Sequence, residues 1–129
     1  MTASSLDGAH LLIVEDDYVV ADSLRFLLES YGGTVTAIAA SVARALDALA
    51  TEPVEVAVLD INLHGASVVP LAEHLLTRGV PFVFLTGYGD AEVLPEHLRD
   101  HPRLRKPVLA EMLIQTICDL RDRQARDPR

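Results

Sequence analysis

Two patterns of apolar and polar positions alternate along the chain. Short, almost continuously apolar runs stand at Leu11–Val14, Val56–Leu59 and Phe82–Leu85, and the longer stretches between them carry apolar residues every three or four positions. The short runs fit strands covered by helices on both faces, and the longer stretches fit amphipathic helices. The pattern predicts strands at 10–15, 34–39, 54–60, 81–85 and 103–106, and helices at about 17–31, 41–51, 67–79, 90–100 and 108–123. Alternation of this kind gives an α/β fold with one doubly wound parallel sheet.

Local signals set the expected helix faces. Val20, Leu24, Leu27, Leu28 and Tyr31 form a stripe on the first helix, which Gly32-Gly33 ends. Ser41 is the expected N-cap of the second, with Val42, Leu46 and Leu49 facing inward. Leu109, Met112, Leu113, Ile117 and Leu120 are the expected inner stripe of the last helix, and Pro107 suits its first turn. The segment 87–105 contains Gly89, Pro95 and Pro102, so its helix is expected to be short or irregular. Arg103 and Arg105 mark the last strand as an edge.

The length of 129 residues suits one domain, expected at 9–123 with loose ends at 1–8 and 124–129. A net charge of −8 with scattered cations argues against nucleic acid as a partner. Arg121, Arg123 and Arg126 are expected to complement a helix carboxyl end. Cys118 is the single cysteine, which excludes an intrachain disulfide and fits a reducing compartment. Residues 1–8 do not read as a signal peptide, and no apolar stretch approaches the roughly 20 residues that span a bilayer. A cytoplasmic protein without membrane contact is expected.

The predicted strand ends carry the chemistry. Glu15-Asp16-Asp17, Asp60, Thr86 and Lys106 each follow a predicted strand, and the carboxyl ends of parallel strands meet in a ligand-binding crevice. Three converging carboxylates suit Mg²⁺, which takes a few carboxylates, waters and phosphate oxygens. Lys106 can neutralise a phosphoryl oxygen, and the Thr86 hydroxyl with the Gly87 N–H can donate to another. Asp60 stands alone, as the nucleophile of an in-line phosphoryl transfer would, while Glu15 and Asp16 pair as metal holders. The local alternatives are a solvated turn with Asp17 capping a helix, a strand terminus at Thr86-Gly87 and a salt-bridged helix start at Lys106-Pro107. His10, His64, His74, His97 and His101 form no zinc-ligand pattern with one another or with Cys118.

Leu11–Asp17 (LLIVEDD), Val56–Leu63 (VAVLDINL), Phe84–Tyr88 (FLTGY) and Lys106-Pro107 together resemble the response-regulator receiver domains of the CheY-like superfamily over about residues 9–123. The resemblance implies a flavodoxin-like (βα)5 domain with strand order 2-1-3-4-5. It implies that Asp60 takes a phosphoryl group from a sensor histidine kinase or a histidine phosphotransfer protein. Glu15, Asp16, Asp60 and the backbone carbonyl of Asn62 would hold Mg²⁺. Thr86 and Lys106 would engage the phosphoryl group and shift an equilibrium between two surfaces. Such a domain catalyses its own phosphorylation and dephosphorylation without being a conventional turnover enzyme.

Phe84–Tyr88 further resembles the FATGUY subgroup of single-domain bacterial receivers, which implies an HWE-type kinase as partner. Arg103 stands where the family commonly has an aromatic residue, and His64 where proline is common. The chain ends after the last predicted helix, so output is expected through contact with a downstream protein, as a phosphate sink, or along a relay. The alternative is a receiver-like binding module that works without phosphate. A dehalogenase-type phosphatase would need a second aspartate where Asn62 stands. Tyr88 is expected to obstruct the attacking water, Tyr18, Val19, Pro107 and Val108 to meet a kinase, and Ile114 and Cys118 to serve a dimer face or widen the core stripe.

Overall fold

The computed structural model describes residues 5–87 and 93–126. In chain order the elements are β1 (His10–Val14), α1 (Tyr18–Ser30), β2 (Thr34–Ala39), α2 (Val42–Thr51), β3 (Val56–Asp60), β4 (Asn62–Leu63), β5 (Ala66–Ser67), α3 (Val69–Arg78), β6 (Phe82–Thr86), β7 (Arg103–Arg105) and α4 (Ala110–Arg126). Five strands pair in parallel in the order β2-β1-β3-β6-β7, which is 2-1-3-4-5 when only this sheet is counted. β4 and β5 form a separate antiparallel hairpin. Among the described residues no helix is long and apolar enough to cross a membrane.

Strand alternation divides the core into two layers. Leu12 and Val14 of β1, Ala57 and Leu59 of β3, and Phe82 and Phe84 of β6 pack with α2 and α3. Their neighbours Leu11 and Ile13, Val56 and Val58, and Val83 and Leu85 pack with α1 and α4. A period of two therefore buries every residue of β3 and β6 and all of β1 but His10, with successive side chains on opposite faces. Asp17 caps α1 by accepting from the N–H groups of Val19 and Val20, and Ser41 caps α2 by accepting from Arg44. Gly79 ends α3 in the left-handed conformation.

One expectation takes its final form and three are corrected. The short or irregular helix expected near 90–100 is, in the described part of that segment, reduced to 3₁₀ structure. Pro95 there is extended, and a single 3₁₀ turn, Glu96–Leu98, follows it. The inner face of α4 is Leu113, Ile114, Ile117 and Leu120, while Leu109 and Met112 are exposed. Leu109 precedes the helix, and Met112 lies on the flank opposite Ile114, so Ile114 joins the core and Cys118 packs at its margin. Pro107 precedes α4 instead of opening it, after a cis peptide bond with Lys106.

The third correction concerns the ends. Residues 5–8, expected in a loose amino-terminal segment, are held: Leu6 is fully buried, its N–H donates to Tyr31 O at 2.8 Å, and Arg121 Nη1 donates to its carbonyl at 2.8 Å. Arg121 is thus engaged with the amino-terminal segment. Gly33 permits the approach, since a Cβ there would stand 2.9 Å from Leu6 Cδ1 and from Leu11 Cδ1. At the other end, α4 continues through 124–126.

Candidate functional site

The sheet topology delivers the predicted groups to one edge. Glu15 and Asp16 follow β1, Asp60 ends its neighbour β3, Thr86 ends β6, and Lys106 follows β7. Glu15, Asp60 and Thr86 are buried, and for the two carboxylates this is a rare state without partners. Lys106 provides the countercharge: Nζ lies 3.2 Å from Asp60 Oδ2 and 3.5 Å from Glu15 Oε1. The base of that side chain is fixed where the Lys106 N–H donates to Thr86 O at 2.8 Å.

Local backbone donors set the remaining carboxylate oxygens. Asp60 Oδ1 accepts from the Asn62 N–H at 3.1 Å, and Glu15 Oε2 accepts from the Asp17 N–H at 3.1 Å. Burial pushes the Glu15 carboxyl above its ordinary range, and Asp60 adds to the rise against the opposing influence of the Asp17 N–H and Lys106. Burial by itself would lower Lys106, but the Asp60 and Glu15 carboxylates outweigh it and hold the ammonium above its usual value. Lys106 is therefore charged at neutral pH, facing two carboxylates.

Glu15, Asp16 and Asp60 each offer a ligand atom, and these atoms lie within 4.8 Å of one another. One cation against three carboxylates leaves negative charge uncompensated, and an all-oxygen set of this kind fits a hard divalent ion. Mg²⁺ is therefore compatible with the residues present. Asp17 takes the capping role and stands outside the cluster.

The local alternatives hold in part, since Asp17 caps α1 and Thr86 ends β6, but they do not account for the whole arrangement. A solvated acidic turn would leave Glu15 in water, and a surface salt bridge at Lys106 would not reach two buried carboxylates on two other strands. Tyr18 and Val19 are exposed beside the site, as is Pro107, while Val108 is half-buried against the α1/α4 layer. Phe26, also exposed on α1, escaped the sequence reading. Arg103 is exposed, Leu104 packs on the α1/α4 layer, and Tyr88 lies outside the described residues.

One contact at the site has no forewarning in the pattern of apolar and polar positions, although its residue, His64, stands out in the sequence as a replacement for the usual proline. His64 Nδ1 contacts Asp16 Oδ2 from the tip of the β4–β5 hairpin. The signal was present as His64-Gly65, two residues between short paired strands, but two-residue strands leave no periodicity to detect.

Comparison with known proteins agrees with this geometry. Residues 11–117 match the model of the response regulator receiver domain. The transcriptional regulatory protein FixJ of Bradyrhizobium diazoefficiens is 32% identical over 92 residues, covering 70% of this chain and 44% of FixJ, so the similarity spans less than half of that relative. The solution structure of SdrG from Sphingomonas melonis Fr1 is similar at 34% identity and a TM-score of 0.76, covering 93% of this chain and 98% of SdrG. A signal receiver domain of a modulated diguanylate cyclase from Desulfovibrio desulfuricans G20 reaches a TM-score of 0.81 at 28% identity, with 94% and 99% covered. With its acidic cluster at the ends of β1 and β3 and its lysine at the end of β7, this chain belongs to the response-regulator receiver domain family.

Proposed function

We propose that this receiver domain takes a phosphoryl group onto Asp60 from a phosphohistidine, with Mg²⁺ held by Glu15, Asp16, Asp60 and the Asn62 carbonyl. Receiver domains of two-component systems bind Mg²⁺ at an acidic pocket and interact with histidine kinases or phosphotransfer proteins. The observation that carries the reading is Asp60 itself: a buried carboxylate with Lys106 at 3.2 Å and two further carboxylates alongside. In the transfer, an Asp60 oxygen forms the new bond to phosphorus while the bond to the donor imidazole nitrogen breaks. Lys106 takes the charge of one phosphoryl oxygen and the Thr86 hydroxyl donates to another. Bound Mg²⁺ would supply further charge neutralisation.

The preferred donor is an HWE-type sensor kinase, on the strength of the Phe84–Tyr88 motif and its FATGUY resemblance. Exposed Tyr18, Val19 and Pro107 border the site and suit the contact surface. The signal would pass on through protein contact. Acetyl phosphate with Mg²⁺ should give an acid-stable, base-labile adduct of one phosphoryl group by intact mass, absent in Asp60→Asn. No adduct from acetyl phosphate or from any histidine kinase of a test panel would overturn the reading.

A further inference from the structure

The β4–β5 hairpin stands on the acidic cluster and touches it twice. At its first residue, the Asn62 N–H donates to Asp60 Oδ1 at 3.1 Å. At its tip, His64 Nδ1 meets Asp16 Oδ2, and because a carboxylate only accepts, Nδ1 carries the proton of that bond. One small element therefore spans carboxylates that belong to β1 and β3.

The hairpin is shaped to hold the imidazole there. His64 and Gly65 lie between the paired residues Leu63 and Ala66, with φ of 52° and 83°. Positive φ at both central positions is the type I′ turn, whose twist matches its flanking strands. Gly65 adopts this backbone freely, whereas His64 does so against steric preference. The base is fixed by Leu63 and Val68, both buried in the α2/α3 layer, and by Ser67 Oγ, which accepts from the Val69 N–H at 3.1 Å. The His64 side chain is 81% exposed and that of Asp16 13%, so burial does not hold the ring in place. Its contact with Asp16 does.

We propose that His64 is the positioning residue for Asp16, engaging one carboxylate oxygen so that the other is presented to the divalent cation. The imidazole stays outside the cluster, since the mutually close ligand atoms come from Glu15, Asp16 and Asp60. A hydrogen-bonded partner that orients a ligating carboxylate typically changes metal affinity by about 10–100-fold when removed. The inference rests on the assignment of this cluster as a Mg²⁺ site.

The test is Mg²⁺ binding by calorimetry at one fixed pH, on the wild type, His64→Gly and His64→Asn. His64→Gly removes the ring while relaxing the turn, and His64→Asn keeps an N–H donor on a residue that tolerates positive φ. The expected result is a Kd raised about tenfold in His64→Gly and largely restored in His64→Asn. An unchanged or lower Kd in His64→Gly, or an equal loss in His64→Asn, overturns the positioning role. No Mg²⁺ binding by the wild type would instead overturn the metal-site assignment, and the positioning role with it.

Discussion

Lys106 Nζ stands 3.2 Å from Asp60 Oδ2 although their strands do not pair, because β6 lies between β3 and β7. The lysine stem bridges the end of β6, where Thr86 O accepts the Lys106 N–H. Carboxylate, hydroxyl and cation thus stand at the ends of three consecutive strands of the sheet.

Glu15 is the residue whose charge burdens the metal-free fold. Below its ordinary value of 4.5 it is neutral in both the folded and the unfolded chain. As pH rises through the raised folded value, the folded state binds more protons than the unfolded one and the stability from this group is lost. Glu15→Gln should therefore be more stable than the wild type at pH 7 without divalent ions, by on the order of 1 kcal/mol, and the difference should close below pH 4.5. Added Mg²⁺ should raise the melting temperature of the wild type more than that of the variant. Melts at both pH values, with and without Mg²⁺, measure this.

Thr86→Ala separates acceptance from transmission. The variant keeps Glu15, Asp16, Asp60 and Lys106, so phosphorylation by acetyl phosphate should persist. Beryllofluoride with Mg²⁺ should shift amide resonances of residues 93–108 in the wild type and shift most of them less in the variant. Equal shifts would place the transmission outside the Thr86 hydroxyl.

Gly33→Ala should destabilise the fold by about 1–3 kcal/mol, because the new methyl overpacks Leu6 and Leu11 and approaches Leu28 O at 3.1 Å. Urea denaturation reads the loss. Gly33→Ala combined with Leu6→Ala should lose less than the sum of the two single changes, since both act on one contact.

Glu55 accepts from the His10 N–H at 2.8 Å and faces Arg121 Nη2 at 3.4 Å. Burial alone would raise its carboxyl, but the His10 N–H and the Arg121 guanidinium more than offset this and hold it below the ordinary range. Its contribution is present above pH 4.5 and is lost as pH falls through the lowered folded value. Glu55→Gln should lower stability at pH 7 by about 0.5 kcal/mol, a small figure because 43% of the side chain is exposed and the pair is screened. The gap should vanish under strong acid in the same denaturation series.

The strands and the groups at their ends were legible because both signals are local: a buried strand is a continuous apolar run, and a charge or hydroxyl closing it stands out. The inner face of α4 was less so, since Met112 and Ile114 are both apolar and only the docked helix decides which flank meets the sheet. Leu6 belongs to no periodic pattern, and its burial depends on Gly33 and Arg121, both distant in sequence. At 90–100 the prolines signalled a short or irregular helix, and the extended backbone of Pro95 followed by one 3₁₀ turn is the form it takes. His64 reaches Asp16 through a turn conformation with no compositional mark except the following glycine.

The two-layer alternation constrains how such a chain can change over generations. By the alternation of β3, Asp60 follows the parity of Val56 and Val58, and Thr86 follows that of Phe82 and Phe84. A single inserted or deleted residue inside β3 or β6 would turn the Asp60 or Thr86 side chain toward the opposite layer and bring an apolar neighbour to the mouth of the crevice. Loops between strands and helices are free of that arithmetic. Length drift can accumulate in the loops, while inside the strands only paired, even-numbered changes would leave the chemistry facing the same way.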